Sequence, residues 1–196
     1  MIPERIKQSY LSLLDPIVSL SIKLKVHPNT FTTLCLLAGI YSFFLFSVGS
    51  IRLGSLMIIL SGIFDNIDGK LARKSGKVTK FGALYDSTMD RYSETFIFFG
   101  IAYFFIKNHL YLTSIAVAVS LGGSLMISYV RARAESLGFD CNIGLLQRAE
   151  RIVLLGILGF IHLYGLIAAI WIIAVLSHIT VIQRIIYVWK KDRKNQ

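Results

Sequence analysis

Residues 53–72 read LGSLMIILSGIFDNIDGKLA, an apolar run that carries two aspartates and a lysine near its end. A stretch of about 20 mostly apolar residues is long enough to cross the hydrocarbon core of a membrane as a helix. Five further stretches have comparable length and character: 30–50, 82–106, 110–132, 149–165 and 167–189. These runs lack the alternation of β-barrel strands. We therefore predict an all-α integral membrane bundle of six transmembrane helices over about residues 30–189.

The composition of the chain supports this class of protein. Of its 196 residues 55% are hydrophobic and only 16% are charged, whereas a soluble domain usually carries roughly 25% charged residues. A cytosolic globular domain and a disordered chain are therefore excluded. The net charge of +10 fits membrane orientation better than nucleic-acid binding, so no nucleic-acid partner is expected. We predict one membrane domain, residues 1–196, in contact with membrane lipids.

Residues 1–25 differ from the spans because polar and apolar residues alternate at helical spacing. The apolar positions are Ile2, Ile6, Tyr10, Leu13, Leu14, Ile17 and Leu20. This pattern predicts an amphipathic juxtamembrane helix that lies along the interface and bends at Pro16. A cleaved signal peptide is the alternative, but Asp15 and Pro16 interrupt the apolar region and no small-residue cleavage site follows.

The positive charges predict the orientation of the chain. With six spans, 18 of the 21 Lys and Arg residues fall on one side, while Arg52 and Lys107 fall on the other. Cytoplasmic loops carry such an excess of positive residues. We predict a multi-pass protein of the cell membrane with both termini in the cytoplasm.

Four acidic residues are concentrated at the cytoplasmic ends of the second and third predicted spans. Asp65 and Asp68 share one helix face, and Asp86 and Asp90 share a face of the next helix. At about 1.5 Å per residue, all four lie at similar depth in the inner third of the membrane. Four ionised carboxylates this close together within the membrane would repel one another, so some must be protonated or cations must neutralise them. Oxygen ligands favour Mg²⁺, Mn²⁺ or Ca²⁺, and four carboxylates suffice for two ions.

A second interpretation needs no metal. The four aspartates would then be helix-terminal residues that pair with nearby positive side chains. The available partners in sequence are Lys70, Arg73 and Arg91.

The segment can be written Asp65-x₂-Asp68-Gly69-x₂-Ala72-Arg73-x₈-Gly82-x₃-Asp86-x₃-Asp90. Every fixed position resembles the signature of the CDP-alcohol phosphotransferase family, also called CDP-alcohol phosphatidyltransferases, and the six-span layout is similar too. The resemblance implies displacement of CMP from a CDP-linked lipid by an alcohol hydroxyl. It implies that two Mg²⁺ or Mn²⁺ ions are held by four ligands: Asp65, Asp68, Asp86 and Asp90. Asp90 would also be the catalytic base.

The same resemblance implies a binding site for the CDP-lipid donor. Its residues would be Pro28, Asn29, Thr30, Phe31, Gly69, Arg73, Thr79 and Gly82. Without the resemblance, Pro28-Asn29-Thr30 predicts only the start of a helix, with Asn or Thr as the N-cap. Glycines at 69 and 82 allow close approach of a ligand or of a neighbouring helix.

Arginines on the cytoplasmic side predict an anionic acceptor. Arg131, Arg151 and Arg184 are the expected phosphate ligands, because guanidinium groups bind phosphate bidentately. The alternative role of these arginines is positive-inside anchoring. Within the family the pattern around them is most similar to prokaryotic phosphatidylinositol phosphate synthases, which implies inositol phosphate as acceptor. Phosphatidylglycerophosphate synthase, which uses glycerol 3-phosphate, is the alternative enzyme.

Two further hypotheses concern other roles of the same features. A cation transporter with the aspartates as its ion site is the non-enzyme alternative, although no internal repeat supports it. Ala116, Ser120 and Ser124 form a small-residue stripe that would pack either inside the chain or against another chain. The family resemblance suggests a homodimer.

Overall fold

The computed structural model describes residues 10–195, and every regular element in that range is helical. In chain order the elements are α1 Asp15–Lys23, α2 Pro28–Ser47, α3 Ile51–Lys74, α4 Lys80–Lys107, α5 Tyr111–Ser136, α6 Arg148–Val153, a π-helical turn Leu154–Leu158, α7 Gly159–Ile161 and α8 Leu163–Asn195. The all-α prediction is therefore confirmed for the described residues.

Three of the described helices are long and apolar enough to cross a membrane: Pro28–Ser47, Tyr111–Ser136 and Leu163–Arg193. They are α2, α5 and most of α8. The helices α3 and α4 have 24 and 28 residues, so their length also suffices, but they carry the clustered charges. Their bounds lie within two residues of the predicted segments 53–72 and 82–106.

The boundary between the last two predicted segments differs from the structure. The chain leaves the helix at His162, which has extended backbone angles, and α8 begins at Leu163 instead of residue 167. The His162 ring accepts a hydrogen bond from the backbone N–H of Tyr164 at 3.2 Å and so caps the new helix. Apolar residues continue across this break, and hydropathy alone therefore places it too late.

The N-terminal prediction lies partly outside the described residues, because residues 1–9 are not among them. Residues 10–13 are helical, a turn follows at Leu14, and Pro16 lies in the first turn of α1. Leu14 and Val18 pack against Ile67 and Leu71 of α3. The predicted interruption near Pro16 is thus present as a break just before it.

An ion-pair cluster also holds α1 against α3. Asp15 pairs with Lys70 at 3.0 Å and with Lys74. The hydrogen bonds from Lys74 and Lys70 hold the pKa of Asp15 below its usual range. This surface contact fixes α1 beside the end of α3 that carries Asp68.

The centre of the bundle is formed by α2, α3 and α4, with α5 packed on α8 and on α4. The α6–π–α7 segment packs against α3 and α8. Buried apolar side chains of α4 and α8 form most of the main core: Phe98, Ile101, Phe105, Leu166, Ile170 and Ile173.

Two glycines set the distance between α2 and α4. A methyl group on Gly100 would lie 2.6 Å from the Cα of Phe43, and one on Gly39 would lie 2.8 Å from the Cα of Ser93. Because these neighbours are backbone atoms, no side-chain rotation relieves the contact. The absence of a Cβ therefore lets α2 and α4 pack closely on the side where Asp90 lies.

We expect Gly100→Ala to destabilise the protein by about 1–3 kcal/mol, because the added methyl group overpacks the contact between α2 and α4. Gly122→Ala is the matched control, since a methyl group on this α5 glycine meets no atom within 4 Å. Thermal unfolding in detergent measures both. Equal melting temperatures for the two variants would contradict the close-packing argument.

Candidate active site

Three aspartates form a compact carboxylate cluster between α3 and α4. Ligand oxygens of Asp65, Asp68 and Asp86 all lie within 4.8 Å of one another. Each pair of neighbouring aspartates is one helical turn apart, so the helical repeat turns the two pairs toward the same space. The predicted convergence of the two helix faces is therefore present for these three residues.

Asp90 joins the cluster through an arginine. Its carboxylate is buried on α4, and its Oδ2 lies 2.7 Å from Nη1 of Arg148. The same Nη1 lies 2.6 Å from Oδ1 of Asp65. Arg148, the first residue of α6, thus links the aspartates of α3 and α4. By sequence alone, Arg148 is one of the 18 positive residues predicted on the cytoplasmic side.

Among the described residues, the direct ion pairs of these aspartates are with Arg148 and not with the nearby positive side chains of the alternative interpretation. Lys70 pairs with Asp15 instead, and Arg91 donates to the backbone oxygen of Ser87. The guanidinium of Arg73 lies over Gly69 of its own helix, where an added methyl group would be 3.3 Å from its Nη1. The cation that meets the aspartates comes from a helix more than 50 residues farther along the chain.

The donor set and its hydrogen bonds fit a hard divalent cation. Asp86 Oδ1 is buried and has no hydrogen-bond partner among the described residues. Thr32 donates to Asp68 Oδ2 at 2.8 Å, which orients that carboxylate as an outer-sphere partner does in metal sites. The clustered ligands are carboxylate oxygens, the type that Mg²⁺ and Mn²⁺ prefer. These residues are therefore suited to hold such an ion.

A short polar network supports the Asp90 carboxylate from α2. Cys35 Sγ lies 3.8 Å from Asp90 Oδ1 and 3.1 Å from Ser61 Oγ, and Ser61 contacts Ser93 Oγ at 3.0 Å. Both cysteines, Cys35 and Cys141, are free and buried. These contacts link α2, α3 and α4 next to the Asp90 carboxylate.

The predicted donor residues fall into two groups. Thr79 is the N-cap of α4 and accepts a hydrogen bond from the backbone N–H of Gly82 at 2.9 Å. The Asn29 Oδ1 atom lies 3.7 Å from the position of a Cβ on Gly82. Asn29, Thr79 and Gly82 thus lie together near the start of α4. Gly69 and Arg73 lie on α3, next to Asp68.

The start of α2 differs in one detail from the sequence prediction. The N-cap is His27, whose Nδ1 accepts from the backbone N–H of Asn29 at 3.2 Å, and not Asn29 or Thr30. Pro28 occupies the first helical turn, which its fixed φ favours. Phe31 packs against Phe64, with ring centroids 6.3 Å apart, and therefore has a packing role here.

The three predicted acceptor arginines come from α5, α6 and α8. Arg184 interacts electrostatically with both Arg131 and Arg151, so the structure brings them into one neighbourhood. Arg131 pairs with Glu135 at 2.8 Å. Arg184 donates to two backbone oxygens, that of Ile143 in the loop before α6 at 2.8 Å and that of Ile127 in α5 at 2.6 Å.

Arg151 forms a buried ion pair that sequence reasoning missed. Its Nε and Nη2 donate to Glu94 at 2.9 and 3.3 Å, and Ser124 donates to the same carboxylate at 2.6 Å. Glu94 lies one turn beyond Asp90 within the predicted span 82–106, and an acidic residue inside a span is the available signal. Arg151 Nη1 is buried and has no hydrogen-bond partner among the described residues. One donor of this guanidinium is therefore still free.

The small-residue stripe of α5 packs inside the chain. Ser120 Oγ donates to the backbone oxygen of Ile170 in α8, and Ser124 contacts Glu94 in α4. Ala116 is buried in the main core. Of the two alternatives for this stripe, the structure supports intrachain packing.

Comparison with known proteins gives a consistent family. A model of the CDP-alcohol phosphatidyltransferase family matches residues 25–183. An archaetidylinositol phosphate synthase from Methanothermobacter thermautotrophicus is 41% identical over 150 residues, which are 74% of each protein. A phosphatidylinositol phosphate synthase from Corynebacterium glutamicum is 35% identical over 186 residues, covering 91% of this chain and 84% of that protein.

A solved structure agrees with these sequence matches. Phosphatidylinositol phosphate synthase from Mycobacterium tuberculosis, solved with CDP-DAG bound, superposes with a TM-score of 0.80 at 31% identity. The match covers 89% of this chain and 92% of that one. The same enzyme was also solved with manganese and citrate, again at a TM-score of 0.80. The motif, the fold and these relatives agree, and the chain belongs to the CDP-alcohol phosphatidyltransferase family.

Proposed function

We propose that this chain transfers a phosphatidyl-type group from a CDP-linked lipid to the hydroxyl of a phosphorylated polyol, with release of CMP in phospholipid synthesis. Inositol phosphate is the proposed acceptor, since the similar relatives are phosphatidylinositol and archaetidylinositol phosphate synthases. The observation that carries the proposal is the three-carboxylate cluster with Asp90 one turn away. Its residues are the aspartates of the family motif.

We propose two Mg²⁺ or Mn²⁺ ions as cofactors, held by Asp65, Asp68, Asp86 and Asp90. The buried Asp86 oxygen without a partner and the oxygen-only donor set support this proposal. A similar enzyme was solved with manganese. Such ions supply positive charge that stabilises the diphosphate as CMP leaves.

Asp90 is proposed as the catalytic base. Its Oδ2 contacts Arg148 and its Oδ1 faces Cys35, so the carboxylate has a fixed orientation at the edge of the cluster. The acceptor hydroxyl would attack the phosphorus that carries the lipid, the bond to CMP would break, and the hydroxyl proton would pass to Asp90. The protein supplies orientation, because the carboxylate is already placed before substrate arrives.

The two substrates are proposed to bind on either side of Asp90. The polar group of Asn29, Thr79 and Gly82, with Gly69 and Arg73, would bind the cytidine diphosphate of the donor. Pro28, Thr30 and Phe31 would fix the start of α2 beside it. The acceptor phosphate would bind the three arginines of α5, α6 and α8: Arg131, Arg151 and Arg184. The free Nη1 of Arg151 supports this assignment.

We further propose six transmembrane segments with an interfacial N-terminal helix, and both termini and the active site on the cytoplasmic side of the cell membrane. The lengths of α3 and α4 and the one-sided distribution of Lys and Arg support this layout. In and around α1, Leu13, Leu20 and Leu24 are exposed while Val18 packs inward, as in a helix with one face in lipid.

A homodimer is the proposed assembly. Between α4 and α5 an open groove of about 410 Å³ includes the polar side chains of Arg91, Thr95, Ser128 and Tyr129 in its lining. Polar groups on the outside of a membrane bundle are costly in lipid unless another surface covers them. A second copy of the chain would provide that surface.

The function is tested with purified protein, a CDP-lipid donor and an acceptor panel of inositol phosphate, glycerol 3-phosphate, inositol, serine and choline. We expect metal-dependent CMP release with inositol phosphate, and release with glycerol 3-phosphate alone would favour the alternative enzyme.

Asp90→Asn should lower the rate of CMP release at least about 100-fold, because the base is lost. Asp140→Asn, in an exposed loop, is the control. Wild-type activity of Asp90→Asn would contradict the assignment.

Metal binding is tested without substrates. We expect Asp86→Asn to weaken Mn²⁺ binding about tenfold or more, because one anionic ligand becomes neutral. Free Mn²⁺ measured by electron paramagnetic resonance during a titration gives the affinity, and chelator treatment should abolish CMP release. If Asp86→Asn and Asp140→Asn bind Mn²⁺ equally well, the carboxylate cluster is not the metal site.

A further inference from the structure

Arg148 occupies a position that a divalent cation would also favour. Its Nη1 bridges Asp65 Oδ1 at 2.6 Å and Asp90 Oδ2 at 2.7 Å, and its Nη2 lies 3.8 Å from Cys35 Sγ. One guanidinium nitrogen thus contacts carboxylates from two different helices. Asp65 also belongs to the three-carboxylate cluster. The aspartate that Arg148 neutralises is therefore one that the metal needs.

The helix that carries Arg148 is held by a separate contact. Asp90 and Glu94 are one turn apart on α4, and Arg148 and Arg151 are one turn apart on α6, so the four side chains form two parallel ion pairs. The ion pair of Arg151 with Glu94 is buried, and two guanidinium nitrogens of Arg151 donate to the Glu94 carboxylate. Because this second pair anchors α6, Arg148 can leave Asp65 while α6 keeps its place.

The start of α6 is also fixed locally. Gln147 and Glu150 form a reciprocal capping box, in which the backbone N–H of Gln147 donates to Glu150 at 3.0 Å. The backbone at Arg148 therefore belongs to a fixed helix start, and any movement of Arg148 is a movement of its side chain. The side chain is only 22% exposed, so its charge faces the carboxylates through little solvent.

We propose that Arg148 is a positioning residue that competes with divalent metal for Asp65 and keeps Asp90 oriented. In the metal-free protein it neutralises these two carboxylates and orients Asp90 toward the cluster. When a divalent cation and the donor bind, Arg148 releases Asp65. This inference rests on the proposed function for the role of Asp90, but the competition itself concerns metal binding alone.

A purely structural role predicts the opposite effect on metal affinity. If Arg148 only held the helices together, its loss would disorder the carboxylates and weaken metal binding. If Arg148 competes, its loss removes a positive charge from the ligands and strengthens binding. At this separation, and with little solvent exposure, the Coulomb interaction is strong enough to change the affinity for the metal about tenfold. The sign of the change therefore separates the two roles.

The experiment compares wild type, Arg148→Gln, Arg148→Lys and Arg133→Gln in detergent without donor or acceptor. Mn²⁺ titration followed by electron paramagnetic resonance gives the affinity of each. We expect Arg148→Gln to bind Mn²⁺ about tenfold more tightly. Arg148→Lys should show a smaller increase, because an ammonium does not reproduce the guanidinium geometry. Arg133→Gln, an exposed residue with the same change of charge, should equal wild type.

A kinetic measurement checks the positioning of Asp90. We expect Arg148→Gln to lower kcat at least about tenfold, since Asp90 loses its partner. The Mn²⁺ concentration for half-maximal CMP release should fall in the same variant. A lower maximal rate together with a lower metal requirement is not expected from a general loss of folded protein.

Unchanged or weaker Mn²⁺ binding in Arg148→Gln, with its fold intact, would overturn the competition. If Arg148→Gln does not fold, Arg148→Lys decides: tighter binding than wild type supports the proposal, and equal or weaker binding overturns it. These titrations contain no substrate, so their outcome is independent of the transferase assay. Loss of CMP release in the wild type would instead refute the proposed function.

Discussion

Neutralising a group of buried and half-buried carboxylates is the constraint on which the rest of this structure depends. Asp65, Asp68, Asp86 and Asp90 lie at one end of two long helices in an otherwise apolar bundle. Ionised groups in such an environment are stable only with cations and hydrogen bonds around them. The protein supplies a cation from Arg148 and hydrogen bonds from Thr32 and Cys35. The remaining negative charge is the physical basis of a site for divalent metal.

The scaffold positions these groups through close packing and a short, fixed helix. Gly39 and Gly100 let α2 approach α4, which places Thr32 and Cys35 beside the aspartates. The π-helical turn Leu154–Leu158 directly follows α6, the helix of Arg148 and Arg151. Such turns shift helical register and are frequent at functional sites. The helix that carries the arginines thus combines a capped start, a buried ion pair and a local change of register.

Local sequence patterns predicted the long helices and the aspartate cluster. The ion-pair partners of these residues were not predicted, because they come from distant parts of the chain. The long helices follow from apolar length, and the converging aspartates follow from one-turn spacing. The partner of Asp90 comes from Arg148, 58 positions later, and the partner of Glu94 comes from Arg151, 57 positions later. No periodicity within one helix encodes such pairs. Hydropathy places the break at His162 too late because apolar residues flank it, and its cap is a side-chain hydrogen bond.

In the proposed mechanism, the carboxylate cluster and the donor diphosphate share one metal centre. Electron–nuclear double resonance on Mn²⁺ bound to the protein tests this directly, because it detects phosphorus atoms within a few ångströms of the ion. We expect no phosphorus coupling for Mn²⁺ with protein alone and a clear coupling after CDP-lipid is added. If bound Mn²⁺ shows no phosphorus coupling at saturating donor, the carboxylates and the diphosphate do not share a metal centre.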